Sequence, residues 1–132
     1  MANGESGRGP ITDYRNLDVW NEAMTLATDV YQVTKTFPKE EMFGMTSQMR
    51  RAAVSVGANI AEGFGRAQTR PFIQFLRIAQ GSLKELETLT MLAERLTLLP
   101  GPKAATVMVR CERVGKMLVG LVRALENKDR AR

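Results

Sequence analysis

The sequence predicts an all-α protein that folds as an antiparallel up-down-up-down four-helix bundle. Three observations favour this fold class. Four segments repeat apolar residues with the 3.6-residue period of a helix, and proline or glycine separates consecutive segments. No useful length of the chain alternates apolar and polar residues with the period of two that a strand requires. Because the connections are short, consecutive helices should be antiparallel neighbours.

The first predicted helix covers about residues 17–37 and stops at Pro38. Two parallel apolar rows, which begin at Leu17 and Val19, cover an arc of roughly 200° on this helix. One bundle core needs only about half of that arc. Exposed apolar surface of this size is unusual for a soluble monomer, so we expect the protein to form an oligomer. The polar face of the helix carries an acidic stripe of Asp18, Glu22 and Asp29.

The second predicted helix, over 46–66, combines one row of large apolar residues with many small ones. Small residues allow another backbone to approach closely. The third helix covers 69–98, with Thr69 as its expected N-cap and Pro71 in its first turn. The run Pro100-Gly101-Pro102 should end it.

The fourth predicted helix covers 103–126. Its core row alternates spacings of four and three residues and includes Cys111, which we interpret as a small buried hydrophobe. Outside that row lie further apolar residues that favour an oligomer, namely Val109, Met117 and Val119. The chain is thus divided into a disordered N-terminal tail over 1–12, a bundle over 13–127 and a basic C-terminal tail over 128–132.

Composition excludes several kinds of chemistry. The chain has no histidine, which excludes His-based acid–base catalysis, Ser–His or Cys–His nucleophiles and His-ligated metals. A single cysteine excludes an internal disulfide and a multi-cysteine zinc site. We therefore expect a protein that is not an enzyme and has no cofactor. No apolar run resembles a signal peptide or approaches a membrane span, so we expect a cytoplasmic protein without a membrane partner.

Charge is distributed unevenly along the chain, whose net charge is +5. Residues 13–41 carry a net charge of −3, whereas residues 100–132 carry +5. The first helical region is therefore acidic and the last is basic. This polarity suits assembly between copies of the chain, contact with nucleic acid, or both.

Four stretches of the chain resemble one known family. They are Tyr14–Trp20 (YRNLDVW), Phe37–Gly44 (FPKEEMFG), Gln48–Gly63 with its QMRRAAVS and NIAEG runs, and Phe75–Glu87 (FLRIAQGSLKELE). Together they are similar to the four-helix bundle proteins encoded within large-subunit rRNA intervening sequences. The resemblance extends over nearly all of residues 14–125. One departure is Gly57, where members often carry a proline that would kink the second helix.

This resemblance implies an all-α bundle that assembles into a ring, commonly a pentamer. It also implies kinship with the accessory variability proteins of diversity-generating retroelements. Those proteins are basic pentamers that bind nucleic acid and the reverse transcriptase of the retroelement. A homo-oligomer, RNA or DNA, and a reverse transcriptase are therefore the partners that the resemblance implies.

Two groups of side chains are candidates for sites. The basic candidates for nucleic-acid binding are Arg66, Arg70, Arg77, Arg110, Arg113, Lys116 and Arg123. A merely solvated basic face is the alternative interpretation. The candidate polar network consists of Arg50, Arg51, Ser55, Asn59, Glu62 and Glu85. We interpret it as a structural network that fixes helix register, because no histidine or metal-ligand set accompanies Glu62 and Glu85 as paired catalytic carboxylates.

Two functions follow from these observations. The first is a non-catalytic homo-oligomer that binds nucleic acid through basic faces, as a possible accessory to a reverse transcriptase. The alternative is a structural or protein-interaction ring whose basic face docks an acidic protein. RNA and DNA remain equally open as the nucleic acid.

Overall fold

Four helices pack in chain order around a common core in the computed structural model, which describes residues 11–131. Their bounds are Asp18–Thr34 (α1), Met45–Gly65 (α2), Thr69–Arg95 (α3) and Gly101–Arg130 (α4). Two short 3-10 helices, Tyr14–Asn16 and Lys39–Glu41, precede α1 and α2. Strands are absent from residues 11–131, so the all-α fold class is confirmed.

The neighbours of each helix define a four-sided arrangement. Helix α1 packs against α2 and α4, and α3 packs against the same two helices. Within the described residues, the backbones of α1 and α3 do not come close to each other, nor do those of α2 and α4. The α1–α2 edge and the α3–α4 edge therefore lie on opposite sides of the bundle. None of these helices is both long and apolar enough to cross a membrane.

Helix ends differ from the predicted ones by a few residues. Helix α1 ends at Thr34 rather than at 37, and α4 continues to Arg130 rather than stopping at 126. The prediction of Thr69 as an N-cap is wrong, because Thr69 is already helical and Gln68 occupies the cap without a side-chain hydrogen bond. The predicted tail over 1–12 lies outside the described residues except for Ile11 and Thr12, and Ile11 packs against the core.

The core is made of the apolar rows that the sequence predicted. Its largest fully buried side chains come from all four helices and the α3–α4 turn and include Leu26, Met49, Ile60, Leu76, Leu83, Leu86, Leu99 and Leu118. Two buried threonines satisfy their hydroxyls locally. Thr34 donates to the carbonyl of Val30 at 2.8 Å, and Thr90 donates to that of Leu86 at 2.7 Å. These bonds leave no unpaired hydroxyl at either position.

Helices α2 and α3 approach each other closely at Gly63. A Cβ atom at this position would lie 2.6 Å from the Cβ atom of Phe75. Only glycine permits such an approach, so Gly63 sets the distance between the two helices. Gly57 is buried in an unbroken stretch of α2, and a Cβ atom there would make ordinary contact with Ala23 at 3.7 Å.

Candidate nucleic-acid interface

An ion-pair cluster joins the acidic stripe of α1 to one side of α4. Arg110 donates through Nε to Oδ2 of Asp29 at 2.8 Å and through Nη1 to Oε1 of Glu22 at 3.2 Å. Burial lowers the pKa of Arg110, but the hydrogen bonds and charges of Asp29 and Glu22 outweigh it, so the pKa is raised. Arg110 therefore stays charged and links α4 to α1. Because both carboxylates already bind its guanidinium, it is not free to bind a phosphate.

The three arginines near the α2–α3 turn each form an exposed ion pair. The pairs are Arg66 with Glu62 at 2.9 Å, Arg70 with Asp129 at 3.2 Å, and Arg77 with Glu126 at 2.7 Å. The last two connect α3 to the end of α4. Exposed pairs of this kind contribute about 0–1 kcal/mol. Breaking these pairs so that a phosphate binds the arginines costs little free energy. The neighbouring carboxylates nevertheless cancel the positive charge that would attract a phosphate.

The outward side of α4 is different, because its basic residues are barely neutralised. Lys116 and Arg123 have no carboxylate within salt-bridge distance in the described part of the chain. Arg113 is 65% exposed and reaches Glu22 only at 3.5 Å. These three residues, with Gly120 among them, are called the outer α4 face. A Cβ atom at Gly120 would meet nothing within 4 Å, so the surface there is low and open.

The spacing of the outer α4 face suits a nucleic-acid backbone. Arg113 and Arg123 are separated along the helix axis by about 15 Å, and the face covers an arc of roughly 80°. Duplex DNA carries one phosphate charge per roughly 1.7 Å of its axis, so several phosphates fit along this length. No aromatic side chain lies among these residues, so they offer no platform on which a base could stack. Their basic side chains are therefore expected to bind phosphates.

The candidate polar network is divided into two parts. Ser55 and Asn59 are together, since Asn59 Nδ2 donates to Ser55 Oγ at 3.0 Å and to its carbonyl at 2.8 Å. The partner that joins them to α3 is Ser82, whose hydroxyl lies 2.8 Å from that of Ser55. Sequence reasoning missed Ser82, because a serine in a helix gives no signal of which neighbour its hydroxyl contacts. The Ser55–Ser82 bond ties α2 to α3 at one register.

Arg50 belongs to a separate contact with α1. It donates through Nε to Oγ1 of Thr34 at 2.9 Å and lies over the ring of Tyr31 at 4.5 Å from the centroid. Arg51 and Glu85 are exposed and take no part in either network, and Glu62 pairs with Arg66 instead. Glu62 and Glu85 therefore do not form a pair of carboxylates. No cluster of metal-ligating side chains occurs among residues 11–131.

Cys111 is fully buried in the core row of α4. Burial, with a smaller contribution from the charge of Glu87, raises the pKa of its thiol to about 12. The unfolded thiol ionises near its ordinary pKa of 9.0, so the folded state binds more protons above that pH. We expect the free energy of unfolding to fall between pH 9 and 12, by up to about 1.4 kcal/mol per pH unit. Urea unfolding at increasing pH, with Cys111→Ala as the reference that lacks this term, checks the slope.

Apolar residues remain exposed on both opposite edges of the bundle. On the α1–α2 edge, Met24 is 47% and Tyr31 is 43% exposed. On α4, Val109 is 67% and Val119 is 44% exposed, whereas Met117 packs against the core. The excess apolar arc predicted for the first helix is thus present as uncovered surface, and the oligomer that should cover it stays a prediction.

Comparison with known proteins gives one family. Residues 15–120 match the family model described as 23S rRNA-intervening sequence protein. A solved structure that is similar is a protein of unknown function from the S23 ribosomal protein family of Bacteroides thetaiotaomicron VPI-5482. The TM-score is 0.74 at 24% identity, over 80% of this chain and 95% of that one, which shows a shared fold. No curated protein matches the chain.

Proposed function

We propose that this chain, which belongs to the 23S rRNA-intervening sequence protein family, is a non-catalytic homo-oligomer that binds nucleic acid through the outer α4 face. One observation carries the proposal. Four of the seven candidate basic residues pair closely with carboxylates of the same subunit, whereas on the outer α4 face Lys116 and Arg123 are unpaired in the described structure and Arg113 makes only the long pair with Glu22. Net charge of +5 and a basic last helix supply the long-range attraction.

Assembly would strengthen this binding by repeating the same phosphate contacts on several subunits. A single subunit offers three basic side chains on the outer α4 face, which is a modest phosphate site. A ring, of the kind that the resemblance implies, presents several such faces to one nucleic acid. Because each neutralised phosphate releases condensed counterions, affinity grows steeply with the number of contacts and falls steeply with salt. Sequence discrimination should be small, since the residues contact phosphates rather than base edges.

The triple substitution Arg113→Gln, Lys116→Gln, Arg123→Gln tests this proposal. We expect its affinity for a fluorescently labelled RNA or DNA duplex to fall at least about tenfold at moderate salt, since three phosphate contacts are removed per engaged subunit. The slope of log affinity against log salt should become shallower by roughly 2–3 units. Fluorescence anisotropy over a KCl series measures both quantities. Circular dichroism and sedimentation should show that folding and assembly are retained.

A matched control removes the same charge elsewhere. Lys35, Lys39 and Arg95 are exposed and lack salt bridges in the described structure, so Lys35→Gln, Lys39→Gln, Arg95→Gln changes the net charge equally. This variant should bind within about threefold of the parent. The three removed charges do not contact the nucleic acid, and salt screens their long-range attraction to it. Equal losses in the two triple variants would mean that net charge, not the outer α4 face, governs binding. Unchanged affinity of the first variant would show that this face is merely solvated.

A protein partner is the second candidate, and Val109 favours it. This side chain is 67% exposed next to the outer α4 face, where an apolar contact surrounded by basic charge suits an acidic protein better than a phosphate backbone. If the wild-type protein binds neither RNA nor DNA at low salt, the acidic protein becomes the better proposal. Partnership with a reverse transcriptase is a narrower form of either function, and the genes next to this one are the observation that tests it.

A further inference from the structure

We propose that the turn bearing Phe43 in one copy of the chain inserts into the groove between α3 and α4 of the next copy. The Phe43 turn consists of Met42 and Phe43, which follow the 3-10 helix Lys39–Glu41 and precede α2. The apolar part of the α3–α4 groove is formed by Leu83, Met108, Cys111, Gly115 and Val119, and its charged lining residues are Lys84, Glu87, Glu112 and Lys116. This inference names the surfaces of the homo-oligomer in the proposed function and rests on that part of it.

Phe43 is the most exposed large apolar residue of the described chain. Its side chain is 95% exposed, and its neighbour Met42 is 49% exposed. Tyr31 and Val54 continue the apolar surface along α1 and α2. A phenylalanine that projects into water beside other apolar side chains is typical of the anchor of an interface, where aromatic residues are enriched.

The α3–α4 groove has the size and lining to receive such an anchor. Its volume is about 740 Å³. The groove is open to solvent along its length, so a phenyl ring and its neighbours can enter it from outside. Gly115 helps to open the groove, because it has no Cβ, and a Cβ atom added there would lie 3.3 Å from Cδ2 of Leu83. Val119 extends the apolar lining toward solvent, where it is 44% exposed.

The positions of the two surfaces determine the kind of assembly. The Phe43 turn belongs to the α1–α2 edge, and the groove belongs to the opposite α3–α4 edge. One copy therefore has one inserting surface and one receiving surface, and the contact between copies is heterologous. A heterologous contact leaves both a free turn and a free groove in any open assembly, so it propagates until a ring closes.

Charges around the two surfaces offer one complementary pair. Arg51, next to the Phe43 turn, is exposed and has no carboxylate partner among the described residues. Glu112, on the rim of the groove, is exposed and likewise has no basic partner there. Lys84, on the same rim, already contacts Glu87 at 3.2 Å. Lys116, which also lines the groove, lies one helical turn beyond Glu112 and is the basic residue of the rim that is unpaired in the described structure. An Arg51–Glu112 pair across the contact would fix its orientation.

Two single substitutions and their mixture test this contact. Phe43→Ser removes the inserting anchor, and Val119→Asp places a charge in the receiving groove. We expect the wild type to sediment as an oligomer at micromolar concentration and each variant to dissociate to monomers, with subunit affinity reduced about 30-fold or more. An equimolar mixture retains one intact turn and one intact groove, so it should form a one-to-one dimer that grows no further. Ile78→Ser is the control, since Ile78 is 51% exposed on α3 outside both surfaces, and it should leave the oligomer unchanged.

Each other result overturns the inference in a recognisable way. A wild-type oligomer that Phe43→Ser leaves intact refutes the contact while the homo-oligomer stands. A mixture that stays monomeric, although both variants have lost assembly, refutes a heterologous contact. A monomeric wild type refutes both this contact and the homo-oligomer of the proposed function. Nucleic-acid binding by the outer α4 face is then tested separately by the triple substitution described above. Phe43→Ser should fold normally, because its side chain contacts almost nothing within the subunit.

Discussion

Replacing Gly63 by alanine is expected to lower the free energy of unfolding by about 2 kcal/mol or more, as overpacking of a tight core does. The added Cβ atom would lie 2.6 Å from Cβ of Phe75 and 3.3 Å from the carbonyl oxygen of Phe72. Neither atom can move aside by a rotamer change, since both are fixed to the backbone of α3. The two helices must therefore separate, which loosens the largest helix–helix contact of the bundle.

The same substitution at Gly81 is the matched control, with an effect of opposite sign. Gly81 lies inside α3, as Gly63 lies inside α2, but a Cβ atom at Gly81 would meet nothing within 4 Å. Gly81→Ala should therefore stabilise the protein by about 0.5–1 kcal/mol, because alanine is the better helix former. Urea unfolding followed by circular dichroism measures both variants. A Gly63→Ala protein as stable as the parent would show that α2 and α3 can separate without loss, contrary to this packing.

The sequence predicted the helices well because their signal is local. Apolar periodicity and the prolines at the junctions placed all four helices to within a few residues of the observed bounds. The small residues of the second segment indicated a close approach of another backbone. They did not indicate which glycine makes it, because that choice depends on the height and rotation of α3 relative to α2. Gly63 and Gly57 look alike in the sequence, yet only Gly63 excludes a Cβ atom.

The sequence could not predict which polar and charged side chains contact each other between helices. Net charges of the segments showed an acidic first helix and a basic last one, but not that Glu22 and Asp29 lie against Arg110. Those partners are more than 80 residues apart along the chain, and only the fold brings them together. For the same reason the polar network lacked its real members Ser82 and Thr34. Part of the charge that suggested an intermolecular contact is therefore used inside one subunit.

Neutralising Glu22 and Asp29 together is expected to destabilise the protein by roughly 2 kcal/mol, the scale of hydrogen bonds to a charged group that is partly buried. In Glu22→Gln, Asp29→Asn the guanidinium of Arg110 keeps its charge but loses both carboxylates. This side chain is only 30% exposed, so water replaces its partners incompletely. The expected loss is well below that of a fully buried pair, because solvent screens the exposed part.

A double-mutant cycle separates the ion pair from the general effect of charge. In an Arg110→Met background the same two neutralisations should cost less than about 0.5 kcal/mol, because the only pair left to lose there is the long and exposed contact of Arg113 with Glu22. Glu85→Gln, Glu94→Gln raises the net charge equally at exposed positions without salt bridges in the described structure, and it should change stability by less than about 0.5 kcal/mol. Urea unfolding of all variants at pH 7 measures the coupling. Equal losses with and without Arg110 would mean that the α1–α4 cluster is only a surface contact, and that packing alone holds these two helices together.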